Sequence, residues 1–309
     1  MTTSTPTVFQ APTVEENPGF DVLYWVGCAG SYDRRAQRVT RAVVKLLGAA
    51  GVNFAVLGSK EKCTGEVARR LGDEFLFQEL AQANIETLTK YKVRKVLTHC
   101  PHCFNSFRQD YPQLGGHYDV MHHTQFLLQL LREGRLTLPV DAPGAVPGPT
   151  TYHDPCYLAR VNGIHVAPRD VLRALLAGPG TAAATAAAAA ATAATAPSSS
   201  SASAASGCGT GCGCSSKSGS GSTGELREMA RRETKTSCCG AGGGRMWMEE
   251  DPKQRVSTER AREALATGAR TVAVGCPFCL TMMTDGVAAQ GGEARVMDVA
   301  ELLAERIGL

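Results

Sequence analysis

The stretch Thr271 to Cys279, TVAVGCPFC, repeats one met earlier in the chain, Val93 to Cys103, VRKVLTHCPHC. In each stretch a short apolar run predicts a buried strand, and the run ends in Cys-Pro-x-Cys, where we expect a helix to begin. A proline is tolerated at the first helical position because the N–H that it lacks would have no partner within the helix. The two stretches therefore predict two copies of one strand-to-helix turn, each carrying a Cys-x-x-Cys pair.

The repeat extends well beyond these two turns. A shift of 176 residues superimposes the two Cys-x-x-Cys pairs and also carries Cys63 onto Cys239. Upstream, Cys28 matches Cys156 at a shift of 128, so the second copy contains 48 additional residues. A low-complexity run of about that length, rich in Ala, Thr, Ser and Gly, lies at 178–223. The chain is therefore predicted to be one unit written twice, with an insert in the second copy.

Alternation of predicted strands and helices in both copies favours an α/β fold with a mostly parallel sheet. The predicted segments are a flexible lead-in at 1–19, a first copy at 20–138, a Pro/Gly linker at 139–149 and a second copy at 150–309. We expect the insert at 178–223 to be disordered. Ligands of parallel sheets gather at the carboxyl ends of the strands. The cysteines that fall there are Cys28, Cys100, Cys156 and Cys276.

Composition narrows the class of protein. The net charge is +3 and no basic run is interleaved with aromatic residues, which argues against nucleic acid as a partner. The first 19 residues are polar and Pro-rich, so we expect no secretory leader and a cytoplasmic location. In a reducing compartment, a chain with 12 cysteines is expected to use them for metal binding rather than for disulfides.

Nine of the cysteines belong to the repeat, and we expect them to form two ligand sets. The first set is Cys28, Cys63, Cys100 and Cys103. The second set is Cys156, Cys238, Cys239, Cys276 and Cys279. Iron–sulfur clusters are usually held by four thiolates, so the second set has one thiol more than a cubane cluster requires. A surplus ligand indicates an unusual or exchangeable cluster.

Other interpretations of these cysteines stay open at the level of sequence. A closed four-thiolate zinc site suits the first set, whereas zinc would leave one thiol of the second set over.

The alignment of the two copies determines which residue of the first copy corresponds to each cysteine of the Cys238-Cys239 pair. A constant shift places Lys62 opposite Cys238, while a shift shorter by one residue places Thr64 opposite Cys239.

The surroundings of the two sets favour anionic sulfur. A cysteine at a helix N-terminus, where Cys100 and Cys276 are predicted to lie, is stabilised as thiolate by the helix dipole and free N–H groups. His99, His102 and His153 flank the cysteines and either donate hydrogen bonds to a cluster or are ordinary polar neighbours. The remaining three cysteines lie in a Gly/Ser tract that orients nothing, and we expect them not to be ligands. They are Cys208, Cys212 and Cys214.

The doubled pattern of one cysteine, about 35 residues, Cys-Cys-Gly, about 36 residues and Cys-x-x-Cys resembles the cysteine-rich "CCG" domain family. This family includes the B subunit of heterodisulfide reductase and the C subunit of anaerobic glycerol-3-phosphate dehydrogenase. The words YWVGCAGSYDRRAQ, THCPHCFN, HDPCYLAR and CCGAGGGRMWMEE are similar to the C-terminal part of membrane iron–sulfur reductases that pass electrons from electron-transfer flavoprotein to quinone.

This resemblance implies two Rossmann-like halves related by a pseudo-two-fold axis, with clusters near their interface. It implies that the five-cysteine set binds a non-cubane [4Fe-4S] cluster, and that the first set, which lacks one cysteine, binds a cubane [4Fe-4S] cluster or zinc. The similar reductases also carry membrane helices and a ferredoxin module. The resemblance therefore implies ferredoxin-like and membrane subunits as partners, and a chain that is a separate subunit or the terminal piece of a longer protein.

Together these observations predict an iron–sulfur oxidoreductase subunit. We expect it to transfer electrons between a flavoprotein or dehydrogenase partner and a quinone or thiol/disulfide acceptor, at the inner face of a membrane through its partners. Two alternatives remain: a zinc-stapled scaffold that assembles other subunits, and a direct disulfide reductase.

Overall fold

The structure is a computed structural model that describes residues 10–139, 148–177, 224–251 and 254–309. The elements of the first half are β1 Val22–Trp25, α1 Gly27–Tyr32, α2 Ala36–Ala49, β2 Phe54–Ala55, α3 Glu66–Leu71, α4 Glu74–Lys90, β3 Lys95–Thr98, α5 Pro101–Asn105, β4 Asp119–His122 and α6 His123–Arg132. Those of the second half are β5 Thr150–Tyr152, α7 Val166–Leu176, α8 Val256–Leu265, β6 Thr271–Val274, α9 Pro277–Ala289, β7 Arg295–Asp298 and α10 Val299–Ile307. The predicted insert at 178–223, with its three cysteines, lies outside the described residues, as do 1–9 of the lead-in and 140–147 of the linker.

Each half has its own parallel sheet. In the first half the strand order is β2-β1-β3-β4, and in the second half it is β5-β6-β7. Thr150 of β5 also forms a parallel bridge with Leu226, at the position that β2 occupies beside β1. The second sheet therefore has the strand order of the first, and the predicted α/β duplication is confirmed.

The strands form where the sequence is apolar on both faces, as expected for parallel sheets covered by helices. All four residues of β1 and all four of β6 are buried. Helix α2 places Val39, Val43 and Leu46 in the core, at the spacing of one helical face. The core of each half therefore fixes the carboxyl ends of its strands, where the cysteines follow.

The two halves also pack against each other. Arg35 at the start of α2 forms a bidentate ion pair with Glu301 of α10, with N–O distances of 2.6 and 2.7 Å. Nε2 of His123 lies 2.8 Å from Oδ1 of Asp298, and both side chains are buried. The same Asp298 caps α10, as His122 caps α6 at the equivalent position of the first half. Charged and capping groups thus join the halves near the ends of their sheets.

Candidate metal centres

Two equivalent turns position the Cys-x-x-Cys pairs. Cys100 is the N-cap of α5 after strand β3, and Cys276 is the N-cap of α9 after strand β6. Pro101 and Pro277 follow at the start of these helices. The local geometry predicted from CPHC and CPFC is therefore confirmed, and at Cys276 the backbone N–H of Cys279 donates to the sulfur.

The first thiol set lines one cavity. Cys28, Cys63, Cys100 and Cys103 all border one space at the interface between the halves. The thiol of Cys28 donates a hydrogen bond that lowers the pKa of Cys63 to about 6. Thr64 also reaches this set, and its hydroxyl lies 3.9 Å from the sulfur of Cys103. The four predicted thiols therefore lie together, with one hydroxyl beside them.

The second thiol set forms a continuous series of sulfur contacts. The sulfur atoms of Cys156 and Cys238 are 4.0 Å apart, and those of Cys239 and Cys279 are 3.4 Å apart. Hydrogen bonds join Cys238 to Cys239 and Cys276 to Cys279. All five predicted thiols of this set are therefore connected to one another in one series.

Backbone geometry decides which residues of the two sets correspond. Gly65 and Gly240 both have positive φ, +81° and +95°, and each donates its N–H to the sulfur two residues earlier. The acceptors are Cys63 at 3.4 Å and Cys238 at 3.2 Å. Cys63 therefore corresponds to Cys238, so the constant shift of 176 residues, which pairs Cys63 with Cys239, fails at this turn. Thr64 stands where the second copy has Cys239.

Thiolate is favoured at two of the five cysteines of the second set. Burial raises the pKa of Cys276, but hydrogen bonds from Cys279 and His102 outweigh burial and lower this pKa to about 5. The hydrogen bond from Cys156 lowers the pKa of Cys238. The neighbouring thiols raise the pKa of Cys156, Cys239 and Cys279, so these three must lose their protons when a metal group binds, because thiolates are the form that binds metal.

His102 belongs to the first Cys-x-x-Cys turn but contacts the second set. It forms a hydrogen bond with Cys276, and its Nδ1 lies 3.2 Å from the buried carboxylate of Glu66. Its ring packs between Tyr157, at a centroid distance of 4.5 Å, and Phe278, at 4.9 Å. Burial lowers the pKa of His102, but the hydrogen bonds with Cys276 and Glu66 outweigh burial and raise this pKa above its usual value. One side chain thus connects the two sites.

The other two flanking histidines differ from each other. His99 is buried and pairs through Nδ1 with the hydroxyl of Tyr24, at 2.8 Å. His153 is also buried, and one of its ligand atoms lies within 4.8 Å of the sulfur atoms of Cys239 and Cys279. Burial, and then the neighbouring charge of Arg260, lower the pKa of His153 to about 3. His153 is therefore the flanking histidine that completes the wall of the second thiol set.

Sequence reasoning missed Glu66, Tyr157 and Arg260. Glu66 and Arg260 begin or occupy amphipathic helices in which charged residues are normally solvated, yet both are buried. Tyr157 directly follows Cys156, and this adjacency is the one signal that could have marked it as a neighbour of the site. Trp247, which follows the glycine-rich turn after Cys239, is mostly exposed but packs edge-on against Phe278 at 5.7 Å.

The donor sets fit an iron–sulfur group. Thiolates are the usual ligands of such clusters, and their sulfides accept hydrogen bonds from nearby N–H groups. Gly65 and Gly240 donate N–H groups to the sulfur atoms of Cys63 and Cys238, and Nε2 of His153 is a buried polar atom with no hydrogen-bond partner among the described residues. The first set, with four thiols, also has the number of ligands that a structural zinc site requires.

Comparison with known proteins adds independent observations. The family model described as "Cysteine-rich domain" (CCG) matches residues 22–108 and 222–284. The "Probable iron-sulfur-binding oxidoreductase FadF" of Bacillus subtilis is 38% identical over 304 residues, covering 96% of this chain and 36% of the relative. The "EtfAB:quinone oxidoreductase" of Syntrophomonas wolfei is 36% identical over 298 residues, covering 94% of this chain and 35% of the relative.

This chain covers a larger share of a third relative, to which its identity is lower. The D subunit of the dihydromethanophenazine:CoB--CoM heterodisulfide reductase of Methanosarcina barkeri is 30% identical over 304 residues, covering 96% of this chain and 62% of the relative. The chain thus spans about a third of the length of the first two relatives. Within the described ranges, none of the helices has the length and apolar character needed to cross a membrane.

Proposed function

This chain belongs to the cysteine-rich domain family, and from that premise we propose that it is the iron–sulfur part of an oxidoreductase. It passes electrons between a flavoprotein or dehydrogenase partner and a quinone or thiol/disulfide acceptor. The observation that carries the proposal is that two thiol sets at equivalent sheet ends are joined by one side chain, His102. An iron–sulfur cluster bound at such a set supplies one-electron chemistry.

The ligands of the second site are Cys156, Cys238, Cys239, Cys276 and Cys279. We propose a non-cubane [4Fe-4S] cluster for this site, because five thiols connected in one series exceed the four that a cubane needs. Three of these thiols are buried by the strands and helices around them. Such shielding excludes solvent from the bound group and limits hydrolysis and oxidation.

The ligands of the first site are Cys28, Cys63, Cys100 and Cys103. We propose a cubane [4Fe-4S] cluster here, since the hydroxyl of Thr64 replaces the fifth thiol. The first turn of this site is held by Glu61, which accepts hydrogen bonds from the N–H groups of Val26 and Gly27. Zinc remains the competing metal for this site, because four thiolates satisfy its tetrahedral preference.

Metal analysis of the anaerobically purified chain tests the proposal. We expect iron and acid-labile sulfide in amounts that correspond to two clusters, an EPR signal after reduction, and reversible redox titration. Zinc alone would contradict the proposal and support a non-catalytic scaffold. Iron at the second site with zinc at the first would retain the electron-transfer function but remove one of its two centres.

A direct disulfide reductase is the second candidate. It is favoured by the fifth thiol of the second site and by the similarity to part of a heterodisulfide reductase. This function predicts that the reduced chain releases thiols from a mixed disulfide and that Cys239→Ser abolishes the release. An electron-transfer part without this activity would reduce only its partner proteins or a quinone.

A further inference from the structure

His153 lies against the second thiol set from the strand side. It directly follows β5, three residues before Cys156, and its side chain is fully buried. Among the residues that the structure describes, His153, Cys239 and Cys279 are the one group of three whose ligand atoms lie within 4.8 Å of one another. Such a histidine could bind the metal directly, or it could donate a hydrogen bond to sulfur. The two roles need opposite protonation of Nε2.

Arg260 decides between these roles. Its Nε–H donates a hydrogen bond to Nδ1 of His153 over 2.9 Å. A guanidinium group has no acceptor atom and stays protonated in proteins, so Nδ1 must be the acceptor. An imidazole that accepts at Nδ1 carries its proton on Nε2, and a protonated nitrogen cannot be a metal ligand.

The guanidinium group of Arg260 is itself fixed. Arg260 is fully buried, and its Nη1 donates to Oε2 of Glu263 at 2.6 Å and to the carbonyl of Arg231 at 2.9 Å. Its Nη2 donates to the hydroxyl of Thr236 at 3.2 Å. Because every nitrogen of the group has an acceptor, the group cannot rotate away from His153 without breaking several hydrogen bonds.

Nε2, the second ring nitrogen of His153, is the atom available for a hydrogen bond to sulfur. Nε2 of His153 is buried and has no hydrogen-bond partner within the described ranges. A buried N–H without an acceptor is costly, and a thiolate or cluster sulfide is an acceptor that removes this cost. We infer that His153, held in its Nε2–H tautomer by Arg260, donates a hydrogen bond to the sulfur of the second site and is not a ligand.

The first half supports this inference through the equivalent residue. The shift that superimposes Cys28 on Cys156 places Trp25 opposite His153, and Trp25 is also fully buried with an unpartnered ring nitrogen among the described residues. An indole nitrogen can only donate and does not bind metal. Both copies therefore carry a buried ring N–H donor three residues before their first cysteine, although the ring differs.

The hydrogen bond from His153 matters to the proposed function, on which this inference rests. A hydrogen bond to sulfur stabilises the more negative, reduced form of a cluster and so raises its reduction potential. His153 and Arg260 are then positioning and tuning residues of the second site, and they contribute no ligand atom.

The test uses the full chain, purified anaerobically and labelled with 15N-histidine, together with three variants. His153→Phe removes the N–H donor, and Arg260→Met removes the hydrogen bond that holds His153 in its Nε2–H tautomer. His117→Phe, at an exposed histidine, is the matched control. In His153→Phe we expect reduction of the second site to become about tenfold less favourable, which is about 59 mV for one electron. Arg260→Met shifts the potential in the same direction by less, and His117→Phe leaves it unchanged.

Electron–nuclear double resonance on the unsubstituted chain provides the second measurement. We expect a weak 15N coupling and an exchangeable-proton coupling that disappear in His153→Phe, while the couplings of His102, which forms a hydrogen bond with Cys276, remain. A strong 15N coupling, typical of direct ligation, would overturn the inference, and so would an unchanged potential in His153→Phe. If His153→Phe fails to hold a cluster, the 15N coupling of the labelled unsubstituted chain and the reduction potential of Arg260→Met still distinguish a hydrogen-bond donor from a ligand. Absence of iron from the unsubstituted chain would refute the proposed function first and the inference with it, whereas iron without these shifts refutes the inference alone.

Discussion

The two thiol sets occupy the same place in two copies of one fold, yet they differ at one position, where the first copy has the hydroxyl of Thr64 and the second has the thiol of Cys239. Thr64 presents a hydroxyl 3.9 Å from Cys103, and Cys239 presents a thiol 3.4 Å from Cys279. The glycine that follows each of them has positive φ and donates its N–H to a cysteine. The backbone of the site is thus kept while its ligand chemistry diverges.

The halves also hold the loop before their first cysteine by different means. In the first half, the carboxylate of Glu61 accepts the N–H groups of Val26 and Gly27. In the second half, Asp154 forms a bidentate ion pair with Arg169, at 2.6 and 2.7 Å, and both groups are buried. Removing one member of a buried ion pair is costly, because the charge of the other member stays buried without compensation.

The largest effect is therefore expected from Arg169→Met. This variant leaves Asp154 buried without its cationic partner, and we expect it to lower the free energy of unfolding by about 3–5 kcal/mol. The matched change in the first half, Glu61→Gln, keeps one carbonyl acceptor and should cost about 1 kcal/mol. Urea unfolding of the anaerobic chain measures both values. Equal losses would show that the two loops depend on their charges to the same degree.

The next effect concerns the thiol that the first site lacks. Cys239→Ala removes a proposed ligand, and we expect at least about a 100-fold loss of metal affinity at the second site, since outer partners alone contribute about 10- to 100-fold. Thr64→Ala removes only a long contact to sulfur and should change the affinity of the first site by less than about tenfold. Competition with a chelator, followed by iron analysis, gives both affinities. A comparable loss in Thr64→Ala would make the hydroxyl a ligand.

Thr64→Cys reverses the difference between the sites. It gives the first site five thiols on a backbone that already matches the second site at Gly65 and Gly240. If the number of thiols determines the type of cluster, the EPR spectrum of the first site should change towards that of the second, with no loss of iron. Thr64→Ser, which keeps the hydroxyl, is the control. An unchanged spectrum in Thr64→Cys would mean that the surroundings, rather than the fifth thiol, set the difference.

Much of this arrangement could be predicted from the sequence, because the signals are local. The apolar strands, the proline after Cys100 and Cys276 and the doubled cysteine spacing each act within a few residues, and the structure confirms the turns that they predict. The register at Thr64 could not be fixed in this way. It depends on which glycine has positive φ and which sulfur accepts its N–H, and both are properties of the folded backbone.

The contacts that connect the sites were even harder to predict from the sequence. Glu66 and Arg260 are charged residues on helices, where solvation is the usual outcome. Glu66 is buried because it pairs with His102 from a different helix, and Arg260 because it fits between His153 and the segment near Arg231. These partners are separated by tens of residues, so only the packing of the whole fold brings them together.

The smallest effect is expected at the residue that joins the two sites. His102 and Phe278 are the equivalent middle residues of CPHC and CPFC, and their rings touch across the interface. His102→Phe removes the hydrogen bond to Cys276, so we expect the reduction potential of the second site to fall by up to about 59 mV for one electron, a tenfold change in equilibrium constant. The first site, whose cavity His102 only lines, should change by much less.

Phe278→Leu is the matched control for this prediction. Its ring lines the cavity of the first set and donates no hydrogen bond, so its loss should leave the second-site potential near that of the unsubstituted chain. Redox titrations followed by EPR distinguish the sites, since Cys239→Ala identifies the second-site signal by its loss. A shift of the first-site potential alone in His102→Phe would contradict a connection between the sites. Equal shifts in both variants would indicate that packing, rather than the hydrogen bond, acts across the interface.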